Sequence, residues 1–139
     1  MDTIKLNKVF LGAKMTAYTG DPWLNRVGTT GVLLVYPYVD NEDECISIFY
    51  FDEGWDIAYV RHSRSRYSIE SGIFFAKSVR SGSEKTYDIS NAVELSPEVF
   101  QVDNFSMENV PEEWREIYLG VFVKHAWKDK PIAKVGKKK

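Results

Sequence analysis

The residues best suited to binding chemistry lie in one short segment, residues 59–67. Between its two tyrosines the segment holds three arginines and one histidine, and it contains no acidic residue. Guanidinium groups bind phosphates, and aromatic rings stack on nucleic-acid bases. We predict that the side chains of this segment that contact a ligand or partner are those of Tyr59, Arg61, His62, Arg64, Arg66 and Tyr67.

A structural role is the alternative for the same arginines. The stretch 40–56 contains seven acidic residues and no basic one. On a neighbouring strand its carboxylates would pair with the arginines. In an extended segment Arg64 and Arg66 share a face at a spacing of roughly 6.5–7 Å. Arg61 is then expected to point to the opposite face.

Trp23 is the remaining residue that we predict to contact a ligand or partner. It stands in a stretch, residues 19–23, whose glycine, aspartate and proline indicate a loop. Large aromatic side chains usually bury most of their area, so Trp23 is expected to cap the end of a barrel. An exposed stacking surface is the alternative.

Familiar catalytic and metal-binding motifs are missing from the sequence. Neither His62 nor His125 is followed two positions on by the hydroxyl residue that a paired-histidine phosphoesterase requires. The segment 28–31 lacks the Gly-Lys-Ser/Thr of a phosphate-binding loop, and the carboxylates around Gly54 are typical of turns. We therefore predict a protein that is not an enzyme and binds no metal or cofactor. An enzyme with an unrecognised site is kept as an alternative.

The composition predicts a globular chain. Of its 139 residues, 44% are hydrophobic and 14% are aromatic, which excludes a disordered protein. The single cysteine, Cys45, lies in an apolar stretch and is expected to be buried and unreactive. No signal pattern opens the sequence and no apolar run is long enough to span a membrane. We therefore expect a soluble, cytoplasmic protein that does not associate with membranes.

The charge is divided unevenly along the chain. The net charge is −2, but residues 124–139 carry +6 and residues 1–123 carry −8. From this division we predict a single β-rich domain over residues 1–125 and a basic, flexible C-terminal tail over residues 126–139.

The elements that must position these residues are mostly strands. Residues 27–60 are organised as three antiparallel strands, at 32–36, 45–51 and 55–60. In the middle one, apolar side chains occupy both alternating faces, which predicts a central strand covered on both sides. A hairpin is predicted over residues 73–89.

The remaining elements are shorter or interrupted. Strand residues before and after Gly12, a short strand at 93–95 and one late helix at 109–119 complete the prediction. The fold class is mainly β, with α+β as an alternative: a small SH3-like barrel or a strongly bent antiparallel sheet. Residues 11–15, 28–32 and 48–54 together resemble the general architecture of SH3-like or KOW-like barrels. That resemblance implies no function.

The sequence thus favours a small non-enzymatic binding module, of the adaptor or inhibitor type. We expect it to contact a protein partner through an acidic, aromatic-rich surface. Nucleotide or nucleic-acid binding through residues 59–67 and the lysine-rich tail is the alternative, although the acidic body would repel a polyanion. The identity of the partner and the oligomeric state stay open.

Overall fold

The computed structural model describes residues 4–52 and 57–95 together with Glu112. The predicted helix at 109–119, Glu112 apart, and the tail at 126–139 lie outside these residues. A 3-10 helix, Pro22–Leu24, follows the first strand. The strands of the described part are β1 (Lys8–Tyr18), β2 (Thr30–Tyr38), β3 (Asn41–Asp52), β4 (Ile57–Glu70), β5 (Ile73–Ser78), β6 (Glu84–Asp88) and β7 (Val93–Leu95).

These strands form one antiparallel sheet whose hydrogen bonds close into a ring. Each strand from β2 to β5 pairs with the next along the chain. β1 pairs with β2 on one side and with β6 on the other, which closes the ring through six strands. The prediction of a mainly β, strongly bent antiparallel sheet is therefore confirmed, and the sheet is barrel-like. No helix in the described ranges is long and apolar enough to cross a membrane.

β1 pairs with three other strands because it bends at Gly12. The pairing with β2 shifts register between Leu11 and Ala13, and Gly12 between them has a φ of 102°. This left-handed conformation is readily adopted only by glycine. The first half of the strand lies between β2 and β7, while the second half pairs with β6 as far as Tyr18, opposite Lys85.

β3 is covered on both faces, as its sequence predicts. Its Cys45, Phe49 and Phe51 belong to the inner core, which also contains Phe74 and Tyr87. Its Ile46, Ile48 and Tyr50 belong to a second core on the other side of the sheet, shared with Ile4, Val9, Leu11, Leu34 and Leu95. Cys45 is fully buried, as expected, and burial raises the pKa of its thiol to about 12.

A bulge in β4 decides where the arginines point. Cys45 pairs with Ser65 but Ser47 pairs with His62, so β4 carries one extra residue between these two pairs. Arg61 pairs with Ile48, and Arg66 with Glu44, so both lie on the face of the second core. The expectation that Arg61 points away from the other arginines is wrong, because the extra residue resets the alternation of side chains.

Candidate binding site at one end of the ring

The structure separates the predicted site residues into three groups. Arg64 and Arg66 contact an acidic residue of β3, and the two tyrosines pack on other aromatic rings. Arg61 and His62 line one cavity, whereas Arg66 and Tyr67 line a different one. Trp23 is in the loop beside the first cavity, where its neighbour Leu24 is one of the lining residues. Residues 59–67 therefore do not form a single binding surface.

Arg64 and Glu44 form an ion pair that the structural alternative anticipated. The Arg64 Nε donates a hydrogen bond to the Glu44 carboxylate, which is buried. The Arg64 guanidinium also lies 3.9 Å from the centre of the Tyr38 ring. The Arg66 Nε is 3.9 Å from the same carboxylate, and its side chain is 80% exposed. Glu44 thus holds Arg64 firmly and Arg66 weakly.

We expect Arg64→Ala to lower the free energy of unfolding by about 1–3 kcal/mol, because it leaves the buried Glu44 carboxylate without its main partner. The matched change Arg66→Ala should cost less than about 0.5 kcal/mol, since that side chain is exposed. Urea unfolding of the two variants measures both values. Equal losses would show that Glu44 does not distinguish between the two arginines.

The two tyrosines of the segment pack against aromatic rings. The Tyr59 ring centre lies 5.4 Å from that of Tyr50, although Tyr59 remains 44% exposed. Tyr67 stacks on Phe74 at 5.7 Å, and burial raises the pKa of its hydroxyl. Contacts at these distances are typical of packing between aromatic side chains. Both tyrosines therefore have a structural role in the sheet.

The cavity lined by Arg61 and His62 has a volume of about 550 Å³ and lies at one end of the ring. Its lining comes from the end of β1 and the following loop, from the middle of β4, and from the loop between β5 and β6. The lining is polar in part and apolar in part, and it includes Tyr18, Asp21 and Leu24 together with the serines 63, 81 and 83. A concave, mixed polar and apolar lining of this size is typical of small-molecule sites.

Two buried polar side chains, His62 and Lys85, lie deepest in this lining. His62 is 3% exposed, and its Nε2 is 2.8 Å from the hydroxyl of the buried Tyr87. Burial, together with the nearby Lys85 ammonium, lowers the pKa of His62 to about 3. His62 is therefore neutral near pH 7 and serves as a hydrogen-bonding partner for Tyr87.

Lys85 is the most unusual residue of the site, because it is a buried cation. It is 2% exposed, and its Nζ donates a hydrogen bond to the Ser65 hydroxyl at 3.1 Å. In the described part of the chain no carboxylate forms an ion pair with it. Burial lowers the pKa of its ammonium group. Such a charge carries a desolvation penalty that one neutral hydroxyl offsets only in part.

Trp23 does not cap the end of the ring; it is 84% exposed. The backbone of Trp23 is held in the 3-10 turn, because the Asp21 carboxylate accepts a hydrogen bond from the Trp23 amide at 3.0 Å. The Arg26 guanidinium donates to the carbonyl oxygens of Trp23 and Asn25 at 3.0 and 2.8 Å. Leu24 packs on the inner core instead of the tryptophan.

Gly20 permits the close approach that shapes the rim of the cavity. A Cβ on this residue would lie 2.5 Å from the Tyr18 hydroxyl oxygen and 3.2 Å from the Cβ of Ser83. A side chain at this position would displace the Tyr18 ring, so Gly20 lets the ring and the loop before β6 lie close together.

Lys85, Tyr18 and the serines 81 and 83 line the cavity but were not among the predicted site residues. A signal for Lys85 was present, because Lys85 and Tyr87 stand two residues apart and share one face of the predicted return strand. If Tyr87 is buried, Lys85 on the same face is expected to be buried as well. Nothing comparable marked the serines, whose position depends on the conformation of the β5–β6 loop.

Comparison with known proteins gives no further information about the site. No protein-family model matches the chain, and neither a curated protein nor a solved structure matches it. Among the residues with described positions, no group of three or more His, Cys, Asp or Glu side chains could hold a metal ion. The function must therefore be argued from the surface and the cavity themselves.

Proposed function

We propose that the protein is a small non-catalytic binding module that contacts a protein partner through Trp23 and the loop around it. The observation that carries the proposal is the 84% exposure of a tryptophan on a turn fixed by hydrogen bonds. Tryptophan is among the residues that contribute most energy at the centres of protein interfaces. The cytoplasm is the proposed location, since a lone reduced cysteine suits a reducing compartment.

The fixed turn supports this proposal in energetic terms. Ordering a flexible loop on binding costs free energy, and a turn already held in place avoids much of that cost. The Asp21 and Arg26 hydrogen bonds provide this order before any partner is present. The Asp21 carboxylate, which accepts the Trp23 amide hydrogen bond, adds a negative charge to this loop and favours a partner with a basic residue next to an apolar pocket.

The test compares Trp23→Ala with Val39→Ala, because Val39 is another exposed apolar residue, at 57%. Both variants should melt at the temperature of the parent. Proteins captured from lysates by the parent and by Val39→Ala should be lost with Trp23→Ala, as measured by quantitative mass spectrometry. Retention of every captured protein by the Trp23→Ala variant would refute the assignment of this loop.

Nucleotide binding is supported by a different observation, the two cationic residues at the cavity. Arg61 and Lys85 both line it. Extended nucleic acid receives less support, since Arg64 is paired with Glu44 and is not available for phosphates. This makes a compact anion a better candidate than a polymer.

A further inference from the structure

We propose that the cavity at the end of the ring binds a small molecule through an oxyanion group, a phosphate or a carboxylate, with Lys85 at its floor and Arg61 at its rim. Trp23 does not line this cavity. Asp21 and Leu24 of the same loop do line it, so the experiment below separates the cavity from the partner surface by changing Trp23 alone.

In the described part of the chain, no ion pair compensates the charge of Lys85. Its side chain lines the cavity although it is 98% buried, since its exposed fraction is 2%. A hydrogen bond to the Ser65 hydroxyl is its polar contact, and the Ser65 hydroxyl itself donates to the Ser63 carbonyl oxygen at 2.8 Å. An anion within the cavity would supply the missing counter-charge and the acceptors for the remaining ammonium protons.

Further residues that carry hydrogen-bond donors line the same cavity. Arg61 is exposed, and in the described ranges it forms no ion pair. The serines 63, 81 and 83 also line the cavity, and the Ser81 hydroxyl donates to the Ser83 hydroxyl at 3.0 Å. Positively charged and hydroxyl-bearing residues around one cavity are what a phosphate or carboxylate requires.

Three other titratable residues line the cavity, Tyr18, Asp21 and His62, and burial raises the pKa of the Tyr18 hydroxyl. His62 is neutral near pH 7, so it adds no positive charge to the lining. Asp21 opposes an anion, but its Oδ1 accepts the Trp23 amide hydrogen bond at the edge of the loop. Two cationic residues against one carboxylate leave the lining with an excess of one positive charge.

The volume indicates more than a bare inorganic ion. About 550 Å³ falls within the roughly 300–1,000 Å³ range of small-molecule sites. Tyr18 and Leu24, which also line the cavity, offer apolar surface to the rest of the ligand. The ligand class is thus a small phosphorylated or carboxylated organic molecule.

The experiment uses the full chain, with inorganic phosphate and acetate as separate probes at constant ionic strength. Lys85→Met removes the charge at the floor. Lys77→Met is the matched control, because Lys77 lies in the same hairpin but is exposed and paired with Glu84. Melting temperature is recorded against anion concentration, with titration calorimetry on the same samples.

We expect the parent and Lys77→Met to gain several degrees with a saturating dependence on at least one anion. Lys85→Met should show no such gain, and without anion it should melt at or above the parent temperature. A response to phosphate alone assigns a phosphorylated ligand, and a response to acetate alone assigns a carboxylated one. An equal response in all three proteins, or none in the parent, would overturn the proposal.

If Lys85→Met does not fold, Arg61→Met tests the site from its exposed rim. The apparent affinity for the anion should then fall at least about fivefold, because one charge-assisted contact is lost. An unchanged affinity would also overturn the proposal. The Trp23→Ala variant should keep the full anion response, so a failure of the partner surface is distinguished from a failure of the cavity.

Discussion

Gly31→Ala is expected to destabilise the protein by about 3 kcal/mol or more, because the added methyl group collides with the backbone. A Cβ on Gly31 would lie 2.1 Å from the Tyr50 carbonyl oxygen and 3.2 Å from the Phe49 ring. Neither atom is the free end of a flexible side chain. Gly31 also pairs with Ala13 of β1, so β2 is held from both sides and cannot move away.

The measurement is thermal or urea unfolding of the variant beside Gly28→Ala. Gly28 has a φ of 95°, but a Cβ there meets nothing within 4 Å. Its substitution should therefore cost only about 1 kcal/mol of backbone strain. A Gly31→Ala variant as stable as Gly28→Ala would show that β2 and β3 can separate without penalty.

Stability is expected to fall by about 2 kcal/mol between pH 6.5 and pH 5 because of His62. The folded-state pKa of this residue is about 3, below its ordinary value of 6.5. Well above pH 6.5 both states hold the neutral ring and the contribution does not vary with pH. Below it the unfolded chain binds a proton that the folded protein excludes, so stability decreases as the pH falls.

Urea unfolding at pH 7.5, 6.5 and 5.0 measures this dependence. The lower limit of pH 5 keeps most carboxylates ionised, so that their own titration contributes little. His62→Gln should abolish most of the slope, because a glutamine can still hydrogen-bond but does not titrate. His125→Gln, the change at the other histidine, should leave the slope in place. The same slope in both variants would assign the pH dependence to other groups.

The strands were predictable because their sequence patterns are local. Alternation in residues 45–51 identified a strand with two buried faces, and the glycine–serine turn between two apolar stretches identified the β5–β6 hairpin. In the sequence, the bend at Gly12 was visible only as an interruption of a strand pattern. Its role as the point where β1 passes from one neighbour to another depends on pairing with residues far along the chain.

The site was less predictable because it depends on one extra residue and on two loops. In β4 the sequence Ser-Arg-Ser-Arg is polar at every position, so no hydrophobic pattern reveals the bulge that resets the arginines. The orientation of Trp23 follows from hydrogen bonds of its turn, which composition does not specify. A strong hydrophobic pattern predicts a strand. A cavity between strands and loops can be located only from their three-dimensional arrangement.

The ring closure has a consequence for how the chain folds. Pairings from β2 to β6 join consecutive strands, but the pairing of β1 with β6 joins Tyr18 to Lys85 across most of the described sequence. Contacts between residues so distant in sequence form slowly, so folding is expected on the scale of about milliseconds to seconds. The cavity lies on this seam, with Tyr18 on one side and Lys85 on the other. An anion bound there would hold the two ends of the ring together and would slow the opening of the sheet.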